Sequence, residues 1–182
     1  MLVVSEHEQL PVRGARSGDA EAWNALFKRY QLPLYSYVFE LLHDAQLSLD
    51  VVQETFINAA RHIAGLRDDA KFGSWLFGIA HQKCAQLWRK GHREEIPIDP
   101  DSEQYADSSD DPAECLMRQE QEAAFIKTLD QLPTAHRSAL LLHFVEEFSL
   151  EEIAAITETP IGTVKSRLHY ARKTLKKLLE NT

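Results

Sequence analysis

Residues 149–175, SLEEIAAITETPIGTVKSRLHYARKTL, constrain the fold more than any other stretch of this chain. Ser149 is placed to cap a helix, and Glu152, three residues on, completes a capping box in which each residue satisfies the other's free backbone N–H. Ile153, Ala154 and Ile156 give that short helix its apolar side. Thr159-Pro160 then restarts the chain as a second helix, with Thr159 as cap and Pro160 where a missing N–H costs nothing.

In the second helix Ile161, Val164, Leu168, Ala171, Leu175 and Leu178 recur at spacings of three and four, one apolar stripe. At 100° per residue the opposite side carries Gly162, Ser166, His169, Lys173 and Lys177, with Thr163 and Tyr170 beside them. Lys165, Arg167, Arg172 and Lys176 flank the stripe. From Pro160 to Glu180 there are six Lys/Arg against one acid, a local +5 in a chain of net −8. An isolated basic amphipathic helix would read as a solvated face. A capped helix before it, a tight turn and small polar residues near its N-terminus instead match a helix-turn-helix entering a DNA major groove.

Net charge does not oppose that reading, because what matters is its distribution. Residues 94–122 hold eleven acids and one base, so the acidity is concentrated there and the basic residues cluster elsewhere. With three prolines and no sustained period, residues 93–113 read as an acidic linker. Three to four helices with short connections are expected before it. One begins after Ser17-Gly18-Asp19 and is kinked or divided at Pro33. Another begins near Ser48, with Leu49, Val52, Phe56, Ile57 and Ala60 inward. A third runs from about Phe72 to Lys90.

After the linker, a helix to about Gln131 and one over 135–147, with Leu140, Leu141, Phe144 and Val145 apolar, join the 149–178 pair in a four-helix domain. The fold class is therefore all-α: a tail over 1–15, a helical domain over 16–92, a linker over 93–113 and a helix-turn-helix domain over 114–182.

No apolar run approaches the roughly 20 residues that span a bilayer, and MLVVSEHEQLPVR has no basic segment before an apolar core. A cytoplasmic protein without membrane insertion is expected. Cys84 and Cys115 are too far apart in sequence to suggest a disulfide framework. His81 and Cys84 could share a helical face, but no second ligand pair accompanies them. No metal or other cofactor is expected, and neither a nucleophile–base pair nor an enzyme.

Two separate stretches resemble one family. LPTAHRSALLLHFVEEFSLEEIAAITETPIGTVKSRLHYARKTL is similar to the promoter-reading C-terminal domain of bacterial sigma factors. DVVQETFINAARHIAGLRDDAKFGSWLFGIAHQKCAQLWRK is similar to their N-terminal core domain. Their order, the acidic linker and the short chain resemble the extracytoplasmic-function class of the sigma-70 family. Two departures stand out: Leu47-Ser48-Leu49-Asp50 keeps one carboxylate of a usual acidic pair, and Ile79-Ala80-His81-Gln82 replaces the common Ile-Ala-Arg-Asn.

The resemblance implies a factor that binds RNA polymerase core and directs promoter-specific initiation without covalent chemistry. The recognition helix would read the −35 element, with Thr163, Lys165, Ser166, His169 and Tyr170 near base edges. Arg137, Arg167, Arg172 and Lys173 would grip phosphates. Arg61, His62, Lys71, Phe72, Trp75, Gln82, Lys83 and Arg89 are the candidates for holding the melted −10 strand, and the Gly65–Lys71 loop for a flipped base. Asp50, Gln53, Glu54 and Asn58 would dock on the polymerase core, and an anti-sigma factor would control the whole. A stand-alone helix-turn-helix regulator, or a sigma-like mimic that binds an anti-sigma factor, is the alternative.

Overall fold

The computed structural model describes residues 10–91 and 129–180, with side chains to 89 and 177. The chain divides into two compact units between His92 and Arg93. All regular structure among the described residues is helical.

The first unit starts earlier than the sequence suggests. Pro11 opens a five-residue helix, α1 (Val12–Arg16), in a segment expected to be tail. Periodicity cannot reveal so short an element. Burial holds it: Val12 and Ala15 are in the core, and the Trp23 indole N–H donates to the Ala15 carbonyl at 2.9 Å. Gly18, at φ +86°, reverses the chain in a conformation that side chains resist. Asp19 then caps α2 (Ala20–Leu42) by accepting from the Glu21 N–H. Of the kink or division expected at Pro33, the division does not occur: the helix continues through it.

Asp44 caps α3 (Ala45–His62) by accepting from Leu47 N–H, so this helix begins three residues before Ser48. A 3-10 turn, Ile63–Gly65, and a second, Asp69–Lys71, lead into α4 (Phe72–Gly91). Helices α2, α3 and α4 pack on one another, with α1 against α2. Leu26, Leu34, Tyr37, Val38, Val52, Leu76, Phe77 and Ala80 fill the centre, each large apolar chain contributing about 1.5–3 kcal/mol by leaving water.

The inward side of α3 corrects the expected one. Val51, Val52, Thr55, Phe56 and Ala59 are buried, whereas Leu49 (47% exposed) and Ile57 (50%) face outward. Two stripes compete in this sequence, and the one chosen includes the polar Ser48 and Thr55. Their hydroxyls donate to the carbonyls of Asp44 (2.6 Å) and Val51 (2.7 Å), so burial leaves no unpaired donor.

In the second unit α5 (Thr134–Phe144), α6 (Leu150–Thr157) and α7 (Ile161–Glu180) pack mutually. Leu129 and Leu132 join their core, and the rest of the helix expected before Gln131 lies outside the described residues. Leu140, Leu141 and Leu142 are buried, but Phe144 and Val145 at the end of α5 are exposed, against expectation. Glu146 follows, its N–H donating to the Leu141 carbonyl.

Desolvation pushes the Glu146 carboxyl up to about 7. A carboxyl raised above its unfolded value favours the folded state only when protonated. Stability is therefore lost as pH rises from about 4.5 to about 7. Glu146→Gln is expected to raise Tm at pH 8 and leave it nearly unchanged at pH 4.5, measured by thermal denaturation. Equal shifts at both pH values would refute the assignment.

Candidate nucleic-acid interface

The capping box is formed as the sequence specifies. The Ser149 hydroxyl accepts from Glu152 N–H at 3.2 Å, and the Glu152 carboxylate accepts from Ser149 N–H at 3.0 Å. Helix α6 ends at Glu158 in the left-handed conformation, φ +51°. Thr159 N–H donates to the Ala154 carbonyl, and the Thr157 and Thr159 hydroxyls bond at 2.9 Å. Pro160 contributes its carbonyl to the Val164 N–H, which starts α7.

Val164, Leu168, Ala171 and Leu175 are buried against the unit, and Ile161, expected in the same stripe, is partly exposed. The rotation of α7 is thereby fixed. Gly162, Lys165, His169, Arg172, Lys173, Lys176 and Lys177 are exposed, while Thr163, Ser166, Arg167 and Tyr170 are half-buried. The Ser166 hydroxyl donates to the Thr163 carbonyl at 2.9 Å. The Arg172 guanidinium lies over the Phe144 ring, 4.8 Å from its centroid. Tyr170 stacks on His136 of α5, and His169 stands edge-on to it.

Arg137 does not join this surface. It is 5% exposed and its Nη1 donates to Asp130 at 3.0 Å. The phosphate-gripping role expected of it is corrected: its charge is committed inside the unit.

In the first unit, the strand-holding candidates separate. Arg61, His62, Lys71, Gln82 and Arg89 are exposed, and Trp75 is half-buried. Phe72 is wholly buried, its ring centroid 5.5 Å from that of Tyr30, so it belongs to the core and cannot stack on a base. Lys83 is ion-paired with Glu54, joining α4 to α3. The sequence alone assigns these two residues to different partners. Around the Gly65–Lys71 loop, Arg16 donates to the Leu66 carbonyl (2.9 Å) and to Asp69 (2.6 Å), tying the loop to α1.

His81, one of the departures from the family pattern, bonds through Nδ1 to the Tyr37 hydroxyl at 2.8 Å. Cys84 beside it is buried and its thiol is pushed up to about 12 by desolvation, which makes it an inert core group. Among the described residues no cluster of three or more His, Cys, Asp or Glu is placed to hold a metal.

Of the polymerase-binding candidates, Asp50, Gln53 and Glu54 are exposed and Asn58 is half-buried. Leu49 and Ile57 lie one turn to either side of Gln53 and are exposed with them. Ile57 also lines a shallow groove with Trp23, Asn24, Phe27, Phe56 and Ala60. The sequence hides this apolar margin, because Leu49 and Ile57 equally suit an inward stripe.

Two helical units, the second carrying a capped helix, a tight turn and a basic helix with its polar face outward, define a helix-turn-helix protein. Comparison with known proteins gives the family. Residues 26–94 match the family described as Sigma-70 region 2, and residues 122–175 match Sigma-70, region 4. The RNA polymerase sigma-H factor of Pseudomonas aeruginosa is 33% identical, over 98% of this chain and 97% of its own. The ECF RNA polymerase sigma-E factor of Escherichia coli K12 is 31% identical over 92% of each.

Among solved structures, the sigma factor RpoE of Bartonella quintana, in complex with the anti-sigma factor NepR, is 26% identical. Its TM-score is 0.63, over 85% of this chain and 96% of that one. CnrH in complex with the cytosolic domain of CnrY, 24% identical with a TM-score of 0.68, shares the fold over 95% of this chain and 97% of that one. The chain belongs to the sigma-70 family, in its extracytoplasmic-function class.

A Cβ added at Gly162 would meet nothing of its own chain within 4 Å. Ala at this helical position is therefore expected to raise stability, by up to about 1 kcal/mol. Thermal denaturation of Gly162→Ala checks it, and a lowered Tm would show that α7 needs glycine for its own fold.

Proposed function

We propose that this chain binds RNA polymerase core and directs promoter-specific transcription initiation. In this reading α7 reads the −35 element, and the first unit holds the melted −10 strand. The observation that carries it is the rotation of α7. Its apolar stripe is buried by its own unit, and the opposite side presents small and basic groups to solvent. Thr163, Lys165, Ser166, His169 and Tyr170 face base edges and sugars, while Arg167, Arg172 and Lys173 neutralise phosphates. Gly162, with no reason inside the chain to be glycine, lets the DNA backbone approach closely.

In the first unit Arg61, His62, Lys71, Trp75, Gln82, Lys83 and Arg89 form the strand-holding set. Asp50, Gln53, Glu54 and Asn58, with Leu49 and Ile57 as apolar margin, dock on the polymerase. The Bartonella quintana relative was captured with an anti-sigma factor, and we extend such control to this chain.

Run-off transcription with purified core polymerase and a promoter library tests the whole. Promoter-selective transcripts that depend on the chain are expected, and DNA binding without any stimulation of core would make it a stand-alone regulator. Lys173→Ala should weaken binding about equally on all sequences and lower the salt slope by about one. Lys165→Ala or Ser166→Ala should change −35 preference, by on the order of 1–3 kcal/mol for each base interaction removed. Equal weakening on promoter and random DNA for those two variants would count against direct readout.

A further inference from the structure

We infer that His136 is a positioning residue for promoter readout, holding the Tyr170 ring in the orientation from which α7 meets DNA. The inference rests on the reading of α7 given above and adds a residue from another helix to it. Thr163, Ser166, Tyr170 and Lys173 follow one another at spacings of three, four and three, a single column along the helix. Tyr170 is the aromatic member of that column, and its ring is confined from two directions. The His136 imidazole lies nearly parallel to it, with an interplanar angle of 16° and centroids 6.1 Å apart. His169 meets it edge-on at 79° and 5.8 Å.

His136 is itself firmly placed. It sits in the first turn of α5, where its N–H donates to the Pro133 carbonyl at 2.9 Å. The next four residues, Arg137, Ser138, Ala139 and Leu140, are all buried. Arg137 is further tied to Asp130. The turn that carries the imidazole is therefore anchored by the core of the unit, and the stack transmits that anchorage to a half-buried phenol.

An exposed tyrosine on a helix exchanges rotamers, and freezing it on binding costs side-chain entropy. A ring already stacked has given up that freedom in the free protein. The fixed ring belongs to the same column as Ser166 and Lys173, and its support by a second helix is the kind that precise recognition needs. Because stacking needs a flat ring and no particular charge, the role belongs to the shape of His136.

The test uses the full chain bound to core polymerase. A −35 sequence is first selected from a randomised library, and affinity is then measured on it, on its single-base variants and on random duplex. His136→Ala is expected to flatten the base preference, with roughly three- to tenfold loss on the selected sequence and little change on random duplex. His136→Leu, apolar but without a ring, should behave like Ala, and His136→Phe should restore the preference. In a Tyr170→Ala background, His136→Ala should add nothing.

Equal loss on selected and random DNA, failure of Phe to outperform Leu, or full additivity with Tyr170→Ala would overturn the inference. If Tyr170→Ala alters preference while His136→Ala is silent, this inference alone falls. If Tyr170→Ala itself leaves preference unchanged, the place of Tyr170 in the readout falls and the inference with it.

Discussion

The burial of Val164, Leu168, Ala171 and Leu175 against α5 and α6 fixes the second unit. Four apolar side chains at helical spacing leave α7 one rotational setting. A turn of the helix by a single position would expose a Leu and bury a Lys or Arg, at a cost of several kcal/mol. The outward placement of Thr163, Ser166, Tyr170 and Lys173 depends on that setting. The capping box at Ser149 and Glu152 and the left-handed Glu158 determine where α6 stops, and so where α7 can begin. Local chain chemistry and core packing thus lead to the same placement, as expected of a sequence consistent across levels.

The first unit obeys the same constraint with a different outcome. Helix α3 could bury either of two stripes, and it buries the one containing Ser48 and Thr55. Both hydroxyls bond back to carbonyls of the same stretch of chain, which removes the penalty that would favour the more apolar stripe. Leu49 and Ile57 are left outside, beside Asp50, Gln53 and Glu54. Glu54 also reaches Lys83 across the α3–α4 seam. An ion pair in which Glu54 remains largely in solvent contributes at most about 1 kcal/mol. A partner that binds either residue can therefore displace the other at small cost, and the pairing does not remove either from its surface.

Some of this is legible in the sequence, and the rest is hidden for identifiable reasons. Helix α7, its turn and its outward column follow from the 3.6-residue period together with Ser149, Glu152 and Pro160, signals that all lie within one short stretch. The limits of α4 follow similarly from the period and from the loop before Phe72. Helix α1 escapes because five residues carry no period, and only the burial of Val12 and Ala15 and the bonds with Trp23, Leu66 and Asp69 reveal it. The inward side of α3 is not legible because apolarity alone does not rank two near-equal stripes. Phe72 is ambiguous by chemistry, since aromatic residues serve cores and bases alike, and only its packing on Tyr30 decides. His136 and Tyr170 lie far apart along the chain, and no local pattern announces their stacking.

Arg137 and Arg172 show how far residue type alone can mislead about a cation. Their charge suggests phosphate contacts for both, and both are engaged within the unit, one with a carboxylate and the other with an aromatic ring. Arg137 is nearly closed off from solvent and donates from Nη1 to Asp130. Freeing the guanidinium for DNA would pull a buried side chain out of the core and give up its bond to the half-exposed Asp130. Arg172 instead holds its guanidinium over the Phe144 ring while the residue as a whole stays exposed. A ring face attracts the cation without accepting a conventional hydrogen bond from every N–H, so donors remain that a phosphate can use. The packing on Phe144 limits the swing of a long side chain without consuming its hydrogen bonds. An exposed arginine held over a ring is therefore prepared for an anion, and a buried, paired one is not.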